Sequence, residues 1–214
     1  MERVQVIGSE LPYARWLLAR LRDRSTPPDE FRRLMRDAGR LIAIYSSREL
    51  EWVKVDVTTP LGAVAEELDL ASPPLIVGVL GAGLPLVEGY SEVFPSSRIG
   101  LVAARRYEDP GGVRVELYYR RLPSVHNGVS VVLDPMLATG KTVSRVIDEV
   151  KRIGTGKVIV GSVIASRPGL TYLTRAHPEA SVYTLAVDTD LNSAFFIVPG
   201  LGDAGDRALA VTPD

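Results

Sequence analysis

Nine consecutive residues, Asp134, Pro135, Met136, Leu137, Ala138, Thr139, Gly140, Lys141 and Thr142, carry the densest chemistry in the sequence. Small and hydroxylated residues before a helix leave backbone N–H groups available to grip an oxyanion. Thr139 and Thr142 add hydroxyl donors. Asp134 supplies an acceptor for hydroxyl groups or an oxygen ligand for magnesium. A ligand with a phosphate at one end and a diol close by, such as ribose 5-phosphate, satisfies both halves. The Gly140-Lys141-Thr142 tripeptide also invites a triphosphatase reading, which fails on spacing because Pro135 stands where a P-loop needs its first glycine.

Positioning these residues falls to the elements on either side. The apolar run Val129 to Leu133 reads as a buried strand leading into the loop. Val143, Val146, Ile147 and Val150 follow at i, i+3, i+4 and i+7, the pattern of an amphipathic helix starting at the loop's end. The helix dipole then adds to the attraction for an anion. Further apolar strands are predicted at Leu75 to Leu80, Ile99 to Ala104, Val158 to Ile164 and Val182 to Val187. Trp52 to Val57 alternates and reads as a half-buried strand, and Val113 to Tyr119 as an edge ribbon or flap. Helices are predicted over Leu11 to Arg22 and from Pro27-Pro28 through Tyr45. The outward face of the second helix, with Arg32, Arg33, Arg36 and Arg40, is a solvated face. Strands alternating with helices specify an α/β fold, a mostly parallel twisted sheet flanked by helices. Ligands in such sheets bind beyond the carboxyl ends of the strands. The loops at 81–83, 105–108 and 134–142 are therefore expected to converge.

Composition narrows the function classes. The chain has 214 residues, 46% of them hydrophobic and 24% charged, with a net charge of −1. That balance argues against a surface devoted to nucleic acid or anionic lipid. No cysteine is present, which excludes disulfides and thiolate chemistry and fits a cytoplasmic location. No stretch reaches the length of a membrane span. The two histidines, His126 and His177, are too few for a zinc site and are expected at surface or turn positions.

Asp134 to Thr142 resembles the phosphoribosyltransferase signature, in the Asp-Pro-Met-Leu-Ala-Thr-Gly form of the uracil branch. A second segment, Pro199-Gly200-Leu201-Gly202-Asp203-Ala204-Gly205-Asp206-Arg207, is similar to that branch's uracil-binding segment. The resemblance extends over Arg20 to Tyr45, the 75–90 region with Glu88, and Arg106-Tyr107-Glu108, nearly the whole chain. It implies one domain over 1–214, with a core at about 70–190 and a small hood from about 1–60 and 190–214. The implied reaction joins uracil to 5-phospho-α-D-ribose 1-diphosphate (PRPP), giving UMP and pyrophosphate, with magnesium.

Carried onto this chain, the resemblance gives PRPP contacts at Gly81, Arg106, Asp134 to Thr142 and Asp203. Ile197, Gly202, Asp203 and Ala204 would contact uracil, largely through main-chain groups. Glycine suits that task, since backbone can approach a flat ring without a Cβ in the way. Asp134, Arg106 and Asp203 are the expected catalytic residues, Arg106 gripping pyrophosphate in a guanidinium fork. Magnesium would bind through substrate, with Asp203 as its candidate side-chain ligand. Arg105 is the weaker candidate beside Arg106, because neighbouring strand residues point opposite ways. Lys141 either adds charge at the phosphate or faces solvent. The resemblance further implies a homodimer or homotetramer and a GTP or CTP effector.

Two departures stand out. Leu80-Gly81-Ala82-Gly83 lacks the arginine of the usual Leu-Arg-Ala-Gly, a charged contact worth roughly 1.5–3 kcal/mol, or about 10- to 150-fold. Ala208-Leu209-Ala210 replaces an aromatic-glycine ending and loosens the outer wall of the base pocket. Two other readings stay open at this level: a phosphoribosyltransferase for another base, and a non-catalytic regulatory protein binding UMP or PRPP.

Overall fold

The computed structural model describes residues 3–109 and 112–211; side chains at 106, 108, 109, 112 and 113 lie outside the description. The elements run β1 (Val4–Val6), α1 (Pro12–Arg22), α2 (Pro28–Ser46), β2 (Trp52–Thr58), β3 (Val64–Leu70), β4 (Leu75–Leu80) and α3 (Leu84–Val93). β5 (Arg98–Asp109), β6 (Gly112–Arg121), β7 (Val129–Leu133), β8 (Met136–Leu137), α4 (Lys141–Arg152), β9 (Lys157–Ser166) and α5 (Arg167–Ala176) follow. β10 (Ser181–Asp188), β11 (Asp190–Leu191), β12 (Ile197–Val198) and α6 (Ala204–Leu209) complete the chain.

The main sheet has strand order β1-β10-β9-β7-β4-β5-β6, with β8 paired to β9. Every pairing in it is parallel except β5 with β6. Its central strands are buried on both faces, which is why they read as unbroken apolar runs rather than alternating ones. Ile76, Val131, Leu133, Ile159 and Val163 face a core shared with α1, α2 and α3. Leu75, Val77, Val132, Val158 and Val160 face a second core with Val143, Val146, Ile147 and Val150 of α4. Burying each of those four helix residues stabilises by about 1.5–3 kcal/mol and fixes where α4 begins. On the first face α2 and α3 pack at backbone contact. A Cβ on Gly89 would lie 1.9 Å from the Arg36 carbonyl oxygen, so only glycine permits that crossing.

Two expectations need correction, and the structure adds detail to two others. Trp52 to Val57 is a strand, but not a half-buried one: it forms a separate hairpin with β3, and of β2 only Val55 is partly covered. Its alternation matches cross-strand pairing and not a core face. β5 continues past Ala104 to Asp109, because β6 pairs with it along that length after a bulge at Ala103/Ala104. His126 is exposed, whereas His177 ends α5 buried, only 5% exposed. Its Nε2 lies 2.8 Å from Ser144 Oγ of α4, and Lys151 Nζ lies 3.1 Å from its Nδ1. Lysine can only donate, so Nε2 carries the proton and donates to Ser144. Burial, with the nearby Lys151 charge, pushes the imidazole below its usual range. The arginine face of α2 is ion-paired rather than merely solvated: Arg33 with Asp37, Arg36 with Glu88, Arg40 with Asp37 and Glu92.

Candidate active site

The carboxyl ends of β4 and β7 and the middle of β5 open onto a cavity of about 510 Å³. Gly81 and Ala82 line it from one side, Ala104 and Arg105 from another, and Asp134 to Gly140 with Thr142 form its floor. Ile197, Asp203 and Gly205 close the far side with Ala194, Phe195 and Phe196. Gly81 and Ala82, Arg105 and the 134–140 loop therefore converge, although Arg105 reaches the cavity from within β5 and not from a loop.

The floor loop is held from behind. Asp134 N–H donates to the Gly161 carbonyl at 3.1 Å, and the Pro135 carbonyl accepts from Val163 and Ile164 at 3.0 and 3.1 Å. Met136 and Leu137 pair with β9, and Leu137 is buried. Ser166 Oγ donates to the Ala138 carbonyl while accepting from Gly169 N–H. Gly140 is left-handed (φ 74°) and precedes α4 directly. A Cβ there would lie 2.6 Å from the Gly169 carbonyl oxygen, so the turn into the helix requires glycine. The result is a helix start facing the cavity, with first-turn N–H groups that lack intrahelical partners.

The far side is fastened by arginines from both ends of the chain. Arg22 grips Asp188 in a fork, Nη2 to Oδ1 at 2.6 Å and Nη1 to Oδ2 at 2.8 Å, and also donates to the Gly200 carbonyl at 2.7 Å. Gly200 N–H donates to the same carboxylate at 2.7 Å. Arg207 donates to the carbonyls of Leu21, Asp23 and Leu201, and its guanidinium lies 4.3 Å from the centre of the Phe31 ring. Sequence reasoning quoted Arg207 in the glycine-rich segment without giving it this task. Asp203 caps α6, its Oδ1 accepting from Gly205 and Asp206 N–H at 2.7 and 3.0 Å.

The family profile for uracil phosphoribosyltransferase matches residues 9–210. The chain belongs to the uracil phosphoribosyltransferase family. A uracil phosphoribosyltransferase of Aeropyrum pernix is 54% identical over 210 residues, covering 98% of both chains. A solved protein of Aquifex aeolicus is 28% identical with a TM-score of 0.90, covering 99% of this chain and 100% of that one. An adenine phosphoribosyltransferase of Trypanosoma brucei, solved with AMP, pyrophosphate and ribose 5-phosphate, shares the fold alone, at 13% identity and a TM-score of 0.56 over 87% and 84% of the chains.

Of the family-derived contacts, Gly81, Asp134 to Gly140, Thr142, Ile197 and Asp203 all line the cavity. Lys141, Gly202 and Ala204 are not among its lining residues; Ala204 is fully buried under the segment and Gly202 opens onto a separate surface cleft. Arg106 stands in β5 opposite Val115, and its side chain lies outside the description. Arg105, the candidate ranked lower, lines the cavity, with its guanidinium 5.3 Å from the Tyr107 ring centre. Phe195 and Phe196 escaped notice in the sequence. The available signal was two adjacent aromatics in a short polar turn.

Proposed function

We propose that the chain converts uracil and PRPP to UMP and pyrophosphate in this cavity, as its family membership implies. The observation that carries the reading is the meeting of the two motifs, the phosphate-type helix start and the Ile197–Gly205 segment, across one cavity. Its volume of about 510 Å³ lies in the range of sites for a ligand of this size.

In this reading the 5-phosphate sits on the N–H groups of Thr139, Gly140 and Thr142, with the Thr139 and Thr142 hydroxyls adding donors; the Ala138 N–H donates instead to the Met136 carbonyl at 3.0 Å and the Lys141 N–H to Thr139 Oγ at 3.4 Å. Asp134 accepts from the ribose hydroxyls and stabilises positive character at the sugar as pyrophosphate departs. Gly81 and the arginines at 105 and 106 take the pyrophosphate end. Main chain around Ile197 and Asp203, the family-derived base contacts that line this cavity, reads the donor–acceptor edge of uracil and aims N1 at ribose C1. The residues fit magnesium held through substrate: Asp134 and Asp203 put two hard carboxylates on the wall, and no cluster of three or more His, Cys, Asp or Glu forms a separate metal site among the described residues. Bound there, magnesium supplies charge neutralisation for the diphosphate. The end of α1 and the glycine-rich segment, joined by Arg22 and Arg207, act together as the hood, whereas β1 belongs to the main sheet.

Transfer of labelled uracil from PRPP tests the proposal. UMP forms with magnesium, stops on chelation and resumes on readdition; folded protein that forms none overturns it. Competition with hypoxanthine, adenine or orotate separates the other-base reading, and UMP binding without turnover the regulatory one. The same assay with added GTP or CTP, and sizing in solution, address effector and oligomer.

The Gly81 departure has its own test. Among the described residues, a Cβ at Gly81 would meet only Leu209 Cδ1, at 3.4 Å, so a longer side chain has room to enter. Gly81→Arg is expected to lower the KM for PRPP by about tenfold, one charged hydrogen bond's worth. An unchanged KM would show that this loop does not meet the pyrophosphate.

A further inference from the structure

We propose that Phe195 is a base-stacking residue, its ring forming the flat wall against which the pyrimidine lies. The inference rests on the placement of uracil at the Ile197 end of the cavity. What carries it is a residue in the wrong place for its type. Phe195 has φ 58°, the left-handed conformation that bulky side chains avoid.

The cause is the turn joining β11 to β12. Asn192 N–H donates to the Phe196 carbonyl and Phe195 N–H to the Asn192 carbonyl, each at 2.9 Å. Asn192 Oδ1 accepts from Ala194 and Phe196 N–H at 3.0 and 2.9 Å. Three residues, Ser193 to Phe195, thus form the loop, and loops of this length place their last residue in the left-handed region, where glycine is the ordinary choice. This chain carries phenylalanine instead. Non-glycine residues held there persist where the surroundings over-determine them, and they concentrate at ligand sites.

The surroundings are those of a ligand site. Phe195 lines the cavity two residues before Ile197. Among the described residues, Phe195 and Phe196 are the two aromatic side chains that line the cavity, beside Arg105, Asp134, Asp203 and small, aliphatic and hydroxyl groups. Phe196 is 40% exposed, whereas Phe195 is half-buried. Main-chain groups read the edge of a pyrimidine but leave its faces without a partner. An aromatic ring supplies one, with stacking strength that alanine substitution puts at about 5- to 150-fold in affinity.

Calorimetry with Phe195→Gly decides the matter, using UMP and ribose 5-phosphate as probes. Relieved strain offsets the lost contact, so the ligand-free variant melts no lower than wild type. UMP binding weakens by at least about fivefold, ribose 5-phosphate binding stays within twofold, and Phe195→Tyr restores UMP binding. Equal loss for both ligands, or no loss for either, overturns the proposal and leaves the site assignment standing. A wild-type protein that binds ribose 5-phosphate but not UMP overturns the base-end placement itself.

Discussion

Asp134→Asn is expected to lower kcat/KM for PRPP by about 100-fold while leaving the fold intact. The carboxylate lies at the strand end on the cavity floor, and its Oδ1 accepts from Met136 N–H at 3.2 Å. Asparagine keeps an oxygen for that local bond and keeps the volume. What it loses is the negative charge offered to ribose hydroxyls and to the sugar as the leaving group departs. One hydrogen bond to a charged group is worth about 1.5–3 kcal/mol, or about 10- to 150-fold in rate. Steady-state kinetics beside a thermal melt checks this. A fall below about threefold at unchanged stability would remove Asp134 from the catalytic residues.

Asp188→Ala is expected to cost both stability and base recognition. Asp188 is 7% exposed and its partner Arg22 is 24% exposed, so the pair is largely shielded from water. Removing one partner of a buried ion pair costs about 3–5 kcal/mol, and partial exposure of Arg22 puts this case near the lower end. For a domain of this size that lowers Tm by roughly 6–12 °C. Gly200 N–H also loses its acceptor, so the glycine-rich segment loosens, and the KM for uracil rises more than the KM for PRPP. Equal rises would show that the clamp supports the fold without aiming the base-reading segment.

The same pair predicts a pH dependence. Burial pushes the Asp188 carboxyl up, but the Arg22 hydrogen bonds, the Gly200 N–H and the Arg22 charge outweigh it and hold it below its usual range. A carboxyl depressed in the folded state stabilises at pH values above its unfolded pKa of about 3.9 and loses that contribution as pH falls through the folded value. Wild-type protein therefore loses stability below about pH 4, and Asp188→Ala shows a shallower acid limb. Glu49 keeps part of the wild-type slope in the variant. Burial raises its carboxyl, but hydrogen bonds from Lys157, Tyr183 and Ser181 bring it below the ordinary range.

The sequence by itself determined the parallel sheet, because strands buried on both faces leave unbroken apolar runs such as Leu75 to Leu80. It also determined the phosphate-type loop, since a strand, small residues, Gly140 and an amphipathic helix must follow one another in that order to make one. Those are local patterns, written in neighbouring residues. Tertiary structure alone decided what distant segments do to each other. That Arg22 and Arg207 fasten the glycine-rich segment, that His177 lies buried against Ser144, and that β2 pairs with β3 in a sheet of their own follow from contacts no local period encodes. That Arg105 lines the cavity from within β5 likewise follows from the closed sheet and from no local pattern. Phe195 shows the limit most clearly: its residue type was plain in the sequence, but the left-handed backbone that makes it unusual exists only once the turn is closed against the cavity.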